Sequence, residues 1–131
     1  MPFANFINDI IAHSSKMYLT DKKVDFKIDI SENLLLDAKS GLSIGLIISE
    51  LITNSFKHAF DLQPSPLIML NINISEKGWN IIYSDNGCGI DDEKQDSFGQ
   101  GLIKDLVRQL KGSLEITYNN GLIYSFHFPS L

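Results

Sequence analysis

Three groups of residues in this 131-residue chain have the types and the spacing to do chemistry. Glu50, Asn54 and Lys57 fall at i, i+4 and i+7 within Ser43 to Phe60, with His58 beside them. On a helix that spacing makes one stripe of acid, amide and ammonium. Read alone, the stripe is also what a solvated helix face with one Glu–Lys register looks like. Asp85-Asn-Gly87-Cys-Gly89 leaves an apolar run with two glycines one residue apart. Such glycines let a ligand approach the backbone closely. An aspartate at a strand end accepts a hydrogen bond from an exocyclic amine, the group that distinguishes adenine, worth roughly 1.5–3 kcal/mol when charge-assisted. A plain Asp-Asn-Gly turn is the competing reading. Ser97-Phe-Gly99-Gln-Gly101 runs into a third apolar-periodic segment. A glycine-rich loop entering a helix offers N–H groups and a positive dipole end to a phosphate. Ser97 and Gln100 also suit a capping box, which needs no ligand. Capping does not account for two glycines in a first turn, where each costs about 1 kcal/mol against alanine.

Elements must hold these groups in place. Ile44, Ile47, Ile48, Leu51, Ile52 and Phe56 recur at helical spacing and predict a helix that follows Gly41 and ends near Phe60. Phe3, Phe6, Ile7, Ile10, Ile11 and Met17 predict an earlier helix, with Pro2 tolerated at its start. Leu102, Ile103, Leu106, Val107 and Leu110 predict a third, stopped by Gly112. Val24, Phe26, Ile28 and Ile30 alternate with polar residues as in a half-buried strand, and Leu34 to Leu36 suggests a short returning one. Leu67 to Ile74 and Trp79 to Ser84 form a hairpin across Ser-Glu-Lys-Gly, and Leu114 to Tyr118 and Leu122 to Phe128 another across Asn119-Asn-Gly121. The expected fold is α+β, a two-layer α/β sandwich with a mixed, mostly antiparallel sheet and about three helices on one face.

The totals narrow the function. At 44% hydrophobic and 21% charged residues, the chain has the profile of one globular domain. A net charge of −5 with no basic patch argues against nucleic acid. The single cysteine, Cys88, has no partner for an internal disulfide and suits a reducing compartment. No signal peptide or membrane-length apolar run is visible, so a cytoplasmic domain without membrane contact is expected, from a parent either soluble or membrane-attached.

Taken in order, the three blocks resemble the ATP-binding domain of two-component sensor histidine kinases, in the gyrase, chaperone, histidine-kinase and mismatch-repair ATPase superfamily. Glu50 to Phe60 looks like the family's asparagine box, Asp85 to Ile90 its first glycine box and Ser97 to Leu102 its second. Leu106 to Gly112 and the terminal Phe126-His-Phe-Pro129 also match, so the resemblance covers nearly all of residues 1–131. It implies a Bergerat-type ATP-binding fold in a single catalytic domain, part of a longer kinase.

By the same resemblance, Asn54 would coordinate Mg2+ on the ATP phosphates, Lys57 would contact phosphate oxygens, and His58 would lie near them. Asp85 would bind the adenine amino group in a pocket shaped by Gly87, Gly89 and Ile90. Phe98, Gly99, Gly101 and Leu102 would complete the cofactor-binding set, and Cys88 to Phe98 would form a short lid. Glu50 would act as a general base or orient the acceptor. The cofactors are then ATP and Mg2+. The partners are a histidine-bearing dimerisation domain of the same kinase and, indirectly, a response regulator. The family commonly reads Gly-Thr near its carboxy terminus, with the threonine helping to hold adenine; here Gly121-Leu122 leaves more of that task to Asp85. His13 reads as an exposed helix histidine and His127 as solvent-facing, so neither is the expected phosphoacceptor. Two other readings are a switch protein that binds a sigma factor and phosphorylates a serine, and a catalytically silent nucleotide-binding domain.

Overall fold

The computed structural model describes residues 3–17, 24–31, 36–59, 65–87, 98–119 and 121–129. Their elements run α1 (Phe3–Met17), β1 (Asp25–Ile30), α2 (Ala38–Asn54), a π-helical turn (Ser55–Ala59), β2 (Leu67–Ser75), β3 (Gly78–Asp85), α3 (Phe98–Gln109), β4 (Ser113–Tyr118) and β5 (Leu122–Phe128). The sheet order is β1-β2-β3-β5-β4. β1 and β2 are parallel, and every other pair is antiparallel. The parallel pair needs a long crossover, and α2 supplies it. The mixed α+β fold is thus as expected.

Alternation along the strands decides which face is covered. Ile68, Leu70 and Ile72 of β2, Trp79, Ile81 and Tyr83 of β3, and Leu122, Tyr124, Phe126 and Phe128 of β5 are all buried. They meet Ile44, Ile47, Ile48, Leu51 and Ile52 of α2, with Ile7 of α1 and Ile103 of α3 in the same cluster. α2 is the central helix and touches both others. Gly45 allows α1 its close approach, since a Cβ there would sit 2.9 Å from side-chain carbons of Phe6 and Ile10. At the far end of β3, Trp79 stacks on Phe128 with ring centroids 4.4 Å apart. Its indole nitrogen is buried with no hydrogen-bond partner among the described residues.

The other sheet face carries a line of amides. Asn73 donates to Asn71 at 2.9 Å, Asn80 donates to Asn73 at 3.2 Å, and His127 Nδ1 lies 2.7 Å from Asn80 Oδ1. His127 therefore lies on the helix-free face, as its strand parity predicts, and is bonded there.

Element ends depart from expectation for local reasons. α2 starts at Ala38, before Gly41, because Asp37 caps it: its carboxylate accepts the Ser40 N–H at 2.7 Å. That bond holds the Asp37 pKa below its ordinary 3.8. The α-helical part ends at Asn54, short of Phe60, and the chain widens into the π turn. α3 ends in a Schellman motif whose left-handed residue is Lys111 (φ 58°), not Gly112. Lys111 N–H bonds to Arg108 O at 3.0 Å and Gly112 N–H to Val107 O at 2.9 Å. Gly112 is needed for space instead, because a Cβ there would overlap the Phe128 ring. The suggested strand at Leu34 to Leu36 falls mostly outside the described residues, and Leu36 itself is not in a strand. Tyr118, placed with Leu114 and Ile116 by alternation, is exposed at the end of edge strand β4. Among the described residues no helix is long and apolar enough to cross a membrane.

Candidate functional site

Asp85 is the last residue of β3 and is buried. Both of its carboxylate oxygens are engaged from the protein side. Oδ2 accepts from the Ser55 hydroxyl at 2.8 Å, and Oδ1 accepts from the Gly87 N–H at 3.0 Å. Ser55 opens the π turn immediately after Asn54, so one short bond ties the end of α2 to the end of β3. The asparagine-bearing block and the first glycine block therefore meet. Ser55 Oγ also lies 2.7 Å from the Tyr83 hydroxyl, which is 3.2 Å from the Leu51 carbonyl. Burial pushes the Tyr83 pKa well above 10.0; the Ser55 bond opposes this, and the Asp85 charge adds to it. Tyr83 keeps its proton.

Asn54 closes α2, half-buried, and its Nδ2 is fully buried with no acceptor among the described residues. A buried donor left unpaired costs about 1–3 kcal/mol. Glu50 sits one turn earlier, also half-buried. Lys57 is exposed, and no ion pair joins it to Glu50 among the described residues. The expected Glu50–Asn54–Lys57 stripe is broken after Asn54, because a π turn closes hydrogen bonds one residue further along than an α-helix and rotates the later side chains off the α-helical register. The His58 backbone lies in the same turn.

Two further residues fix the backbone beside Asp85. Asn86 accepts the Leu67 N–H at 2.8 Å and donates to Ser65 O at 2.9 Å, pinning the glycine loop to the start of β2. Gly121, at φ 141°, presses its backbone on the Asp85 carbonyl, and a Cβ there would overlap that oxygen. Leu122, where a threonine is usual in the resembling family, is buried in the core and brings no hydroxyl.

Gly89 and Ile90 lie outside the described residues, as does Ser97 of the capping box. Phe98 and Gly99 form the first backbone turn of α3. Gly101 is exposed, with open space where a Cβ would stand, so nothing in the described protein demands a glycine there. Leu102 is half-buried against the core. Sequence reading missed Ser55, Tyr83 and Asn86 as neighbours of Asp85, and gave Gly121 a place only through the Gly121-Leu122 pair. Ser55 looks like an ordinary small helix residue, and Tyr83 like one more member of an alternating core set. Asn86 and Gly121 read as turn residues, which they also are.

A two-layer domain whose crossover helix and neighbouring strand converge on a buried carboxylate and an unpaired amide belongs to a recognisable class. Residues 40–131 match the family described as Histidine kinase-, DNA gyrase B-, and HSP90-like ATPase, and the chain belongs to it. It is 28% identical over 92 residues to Blue-light-activated histidine kinase 2 of Erythrobacter litoralis, covering 66% of this chain and 27% of that protein. Among solved structures it resembles the histidine kinase domain of the E. litoralis EL346 blue-light activated kinase, with a TM-score of 0.87 at 20% identity, covering 98% and 61% of the two chains. It also resembles the ATP binding domain of PrrB from Mycobacterium tuberculosis, with a TM-score of 0.75 at 17% identity, covering 100% and 96%. The chain thus spans about a quarter of the curated relative it matches.

Proposed function

We propose that this chain is the ATP-binding catalytic domain of a longer histidine kinase, donating the γ-phosphoryl group of ATP to a histidine on a separate domain. The observation that carries the reading is the Ser55–Asp85 bond, which brings the asparagine-bearing helix end and the glycine-flanked carboxylate together. Asp85, with donors filling its protein side, accepts the exocyclic N–H of adenine. Gly87 and the Gly121 backbone leave room for the base beside it. Asn54 faces the phosphate end: its orphaned Nδ2 is offered a phosphate oxygen, and its Oδ1 a place in the shell of Mg2+. Among the described residues no cluster of three His, Cys, Asp or Glu side chains could hold a metal by itself. A magnesium ion brought with the phosphates, held on the protein side by Asn54, would supply charge neutralisation at the transferring group. Lys57, exposed on the π turn, adds positive charge there, with His58 next to it in the chain. Glu50, half-buried one turn from Asn54, orients the incoming acceptor or a water. Gly89, Ile90, Phe98, Gly99, Gly101 and Leu102 complete the nucleotide-binding set, with Gly99 and the start of α3 on the phosphates.

Calorimetry with ATP and Mg2+ tests the core of this reading. Asp85→Asn replaces one acceptor oxygen with a donor and is expected to weaken binding at least tenfold. Unaltered affinity in that variant would sink the adenine assignment.

A further inference from the structure

We infer that Ser55 and Tyr83 are positioning residues that orient Asp85 for a purine bearing an amino group at its 6-position. This inference rests on the proposed role of Asp85. It comes from counting hydrogens. Three oxygen–oxygen contacts, Ser55–Asp85 at 2.8 Å, Ser55–Tyr83 at 2.7 Å and Tyr83–Leu51 at 3.2 Å, share two hydroxyl hydrogens. Were Ser55 to donate to Tyr83, its oxygen would face the Asp85 carboxylate lone pairs at close range with no proton between them. The Ser55 hydrogen therefore goes to Asp85. The Tyr83 hydrogen then has two acceptors to choose from, and the Ser55 oxygen is nearer by half an ångström. The Leu51 carbonyl meanwhile already shares the Ser55 backbone N–H with the Ile52 carbonyl. The result is an ordered relay, Tyr83 to Ser55 to Asp85, entirely within buried groups.

Its direction has a consequence for the ligand. With Ser55 on Oδ2 and the Gly87 N–H on Oδ1, each Asp85 oxygen has one protein donor and only lone pairs left to offer. A 6-amino purine brings the N–H that those lone pairs need; a 6-oxo purine brings another acceptor. The relay holds the carboxylate in the rotamer that presents those lone pairs to the first. Tyr83 is the outer link, so it acts more weakly than Ser55.

The test compares ATP with purine riboside triphosphate, which lacks the 6-amino group, by calorimetry on the full chain with Mg2+. Wild type is expected to favour ATP by tenfold or more. Ser55→Ala should lower ATP affinity about tenfold and leave the 6-unsubstituted nucleotide within twofold. Tyr83→Phe should do the same at about threefold, and Ser55→Thr, which keeps the hydroxyl, should restore ATP binding. Equal weakening of both nucleotides by Ser55→Ala and Tyr83→Phe would overturn the relay in favour of a packing role. Discrimination lost in Asp85→Asn but intact in Ser55→Ala and Tyr83→Phe would overturn the relay alone. Wild type that does not discriminate, or Asp85→Asn that still does, would remove the Asp85 reading and the relay with it.

Discussion

Asn54 is held in an unfavourable state by the protein that contains it. Its Nδ2 is sealed from water with nothing among the described residues to accept its hydrogens, a condition that costs about 1–3 kcal/mol. Alanine at this position removes the orphan and improves helix propensity at the end of α2. Asn54→Ala is therefore expected to raise stability by about 1 kcal/mol or leave it unchanged, read from urea unfolding. Nucleotide affinity in Mg2+ should fall at least tenfold, and any binding in EDTA should fall by less, since only the direct Nδ2–phosphate contact is lost there. A variant that is destabilised, yet binds ATP–Mg2+ normally, would show that the amide serves packing and not the phosphates. Stability and binding moving in opposite directions is the mark of a group kept for a ligand.

At the scale of elements, the two residues after α3 make opposite predictions. Lys111 occupies a left-handed conformation that disfavours any residue with a Cβ, whereas Gly112 is required for space beside Phe128. Lys111→Gly should stabilise the fold by about 1 kcal/mol, and Gly112→Ala should destabilise it by about 1–3 kcal/mol through overpacking. Denaturant midpoints check both signs. The pair also shows what local reading leaves out. Glycine after the last periodic leucine looks like the left-handed terminator, and only the Phe128 ring, far along the chain, reveals its other purpose. The π turn is hidden in the same way: the periodicity of Ser43 to Phe60 continues smoothly into it. The partners of Ser55, Tyr83 and Asp85, are 28 and 30 residues distant. By contrast, the α2 core face and the alternation of β2, β3 and β5 were legible, because burial against a flat sheet imposes periods of 3.6 and 2 directly.

For the whole molecule, the crossover topology explains why the end of α2 and the end of β3 meet. α2 runs between two parallel strands, so its carboxy-terminal end arrives beside the end of β3, and the Gly121 hairpin closes on the same point. His13 is exposed on α1, and His127 is bonded to Asn80 on the helix-free face. The chain incubated with radiolabelled ATP is expected not to label itself, but to label a supplied histidine-bearing dimerisation domain of its own kinase. Acid-labile incorporation on a histidine of this chain would contradict the division of labour. The motif resemblance leads one to expect Asn54 and Asp85 in one site, and the Ser55–Asp85 bond brings the two segments that carry them together. The supporting Ser55, Tyr83 and Gly121 were not readable, since their roles exist only across the assembled sheet.

One strand links the candidate site to an optical reporter. β3 ends at Asp85 and begins beside Trp79, the chain's single tryptophan, six residues and roughly 20 Å away along an extended strand. Stacked on Phe128, with its buried nitrogen unbonded among the described residues, that indole is expected to emit as in an apolar surrounding and to report the integrity of the sheet. With Trp79 and the proposed ligand contact at opposite ends of one strand, intrinsic fluorescence is expected to follow unfolding and the heat of binding to follow the nucleotide.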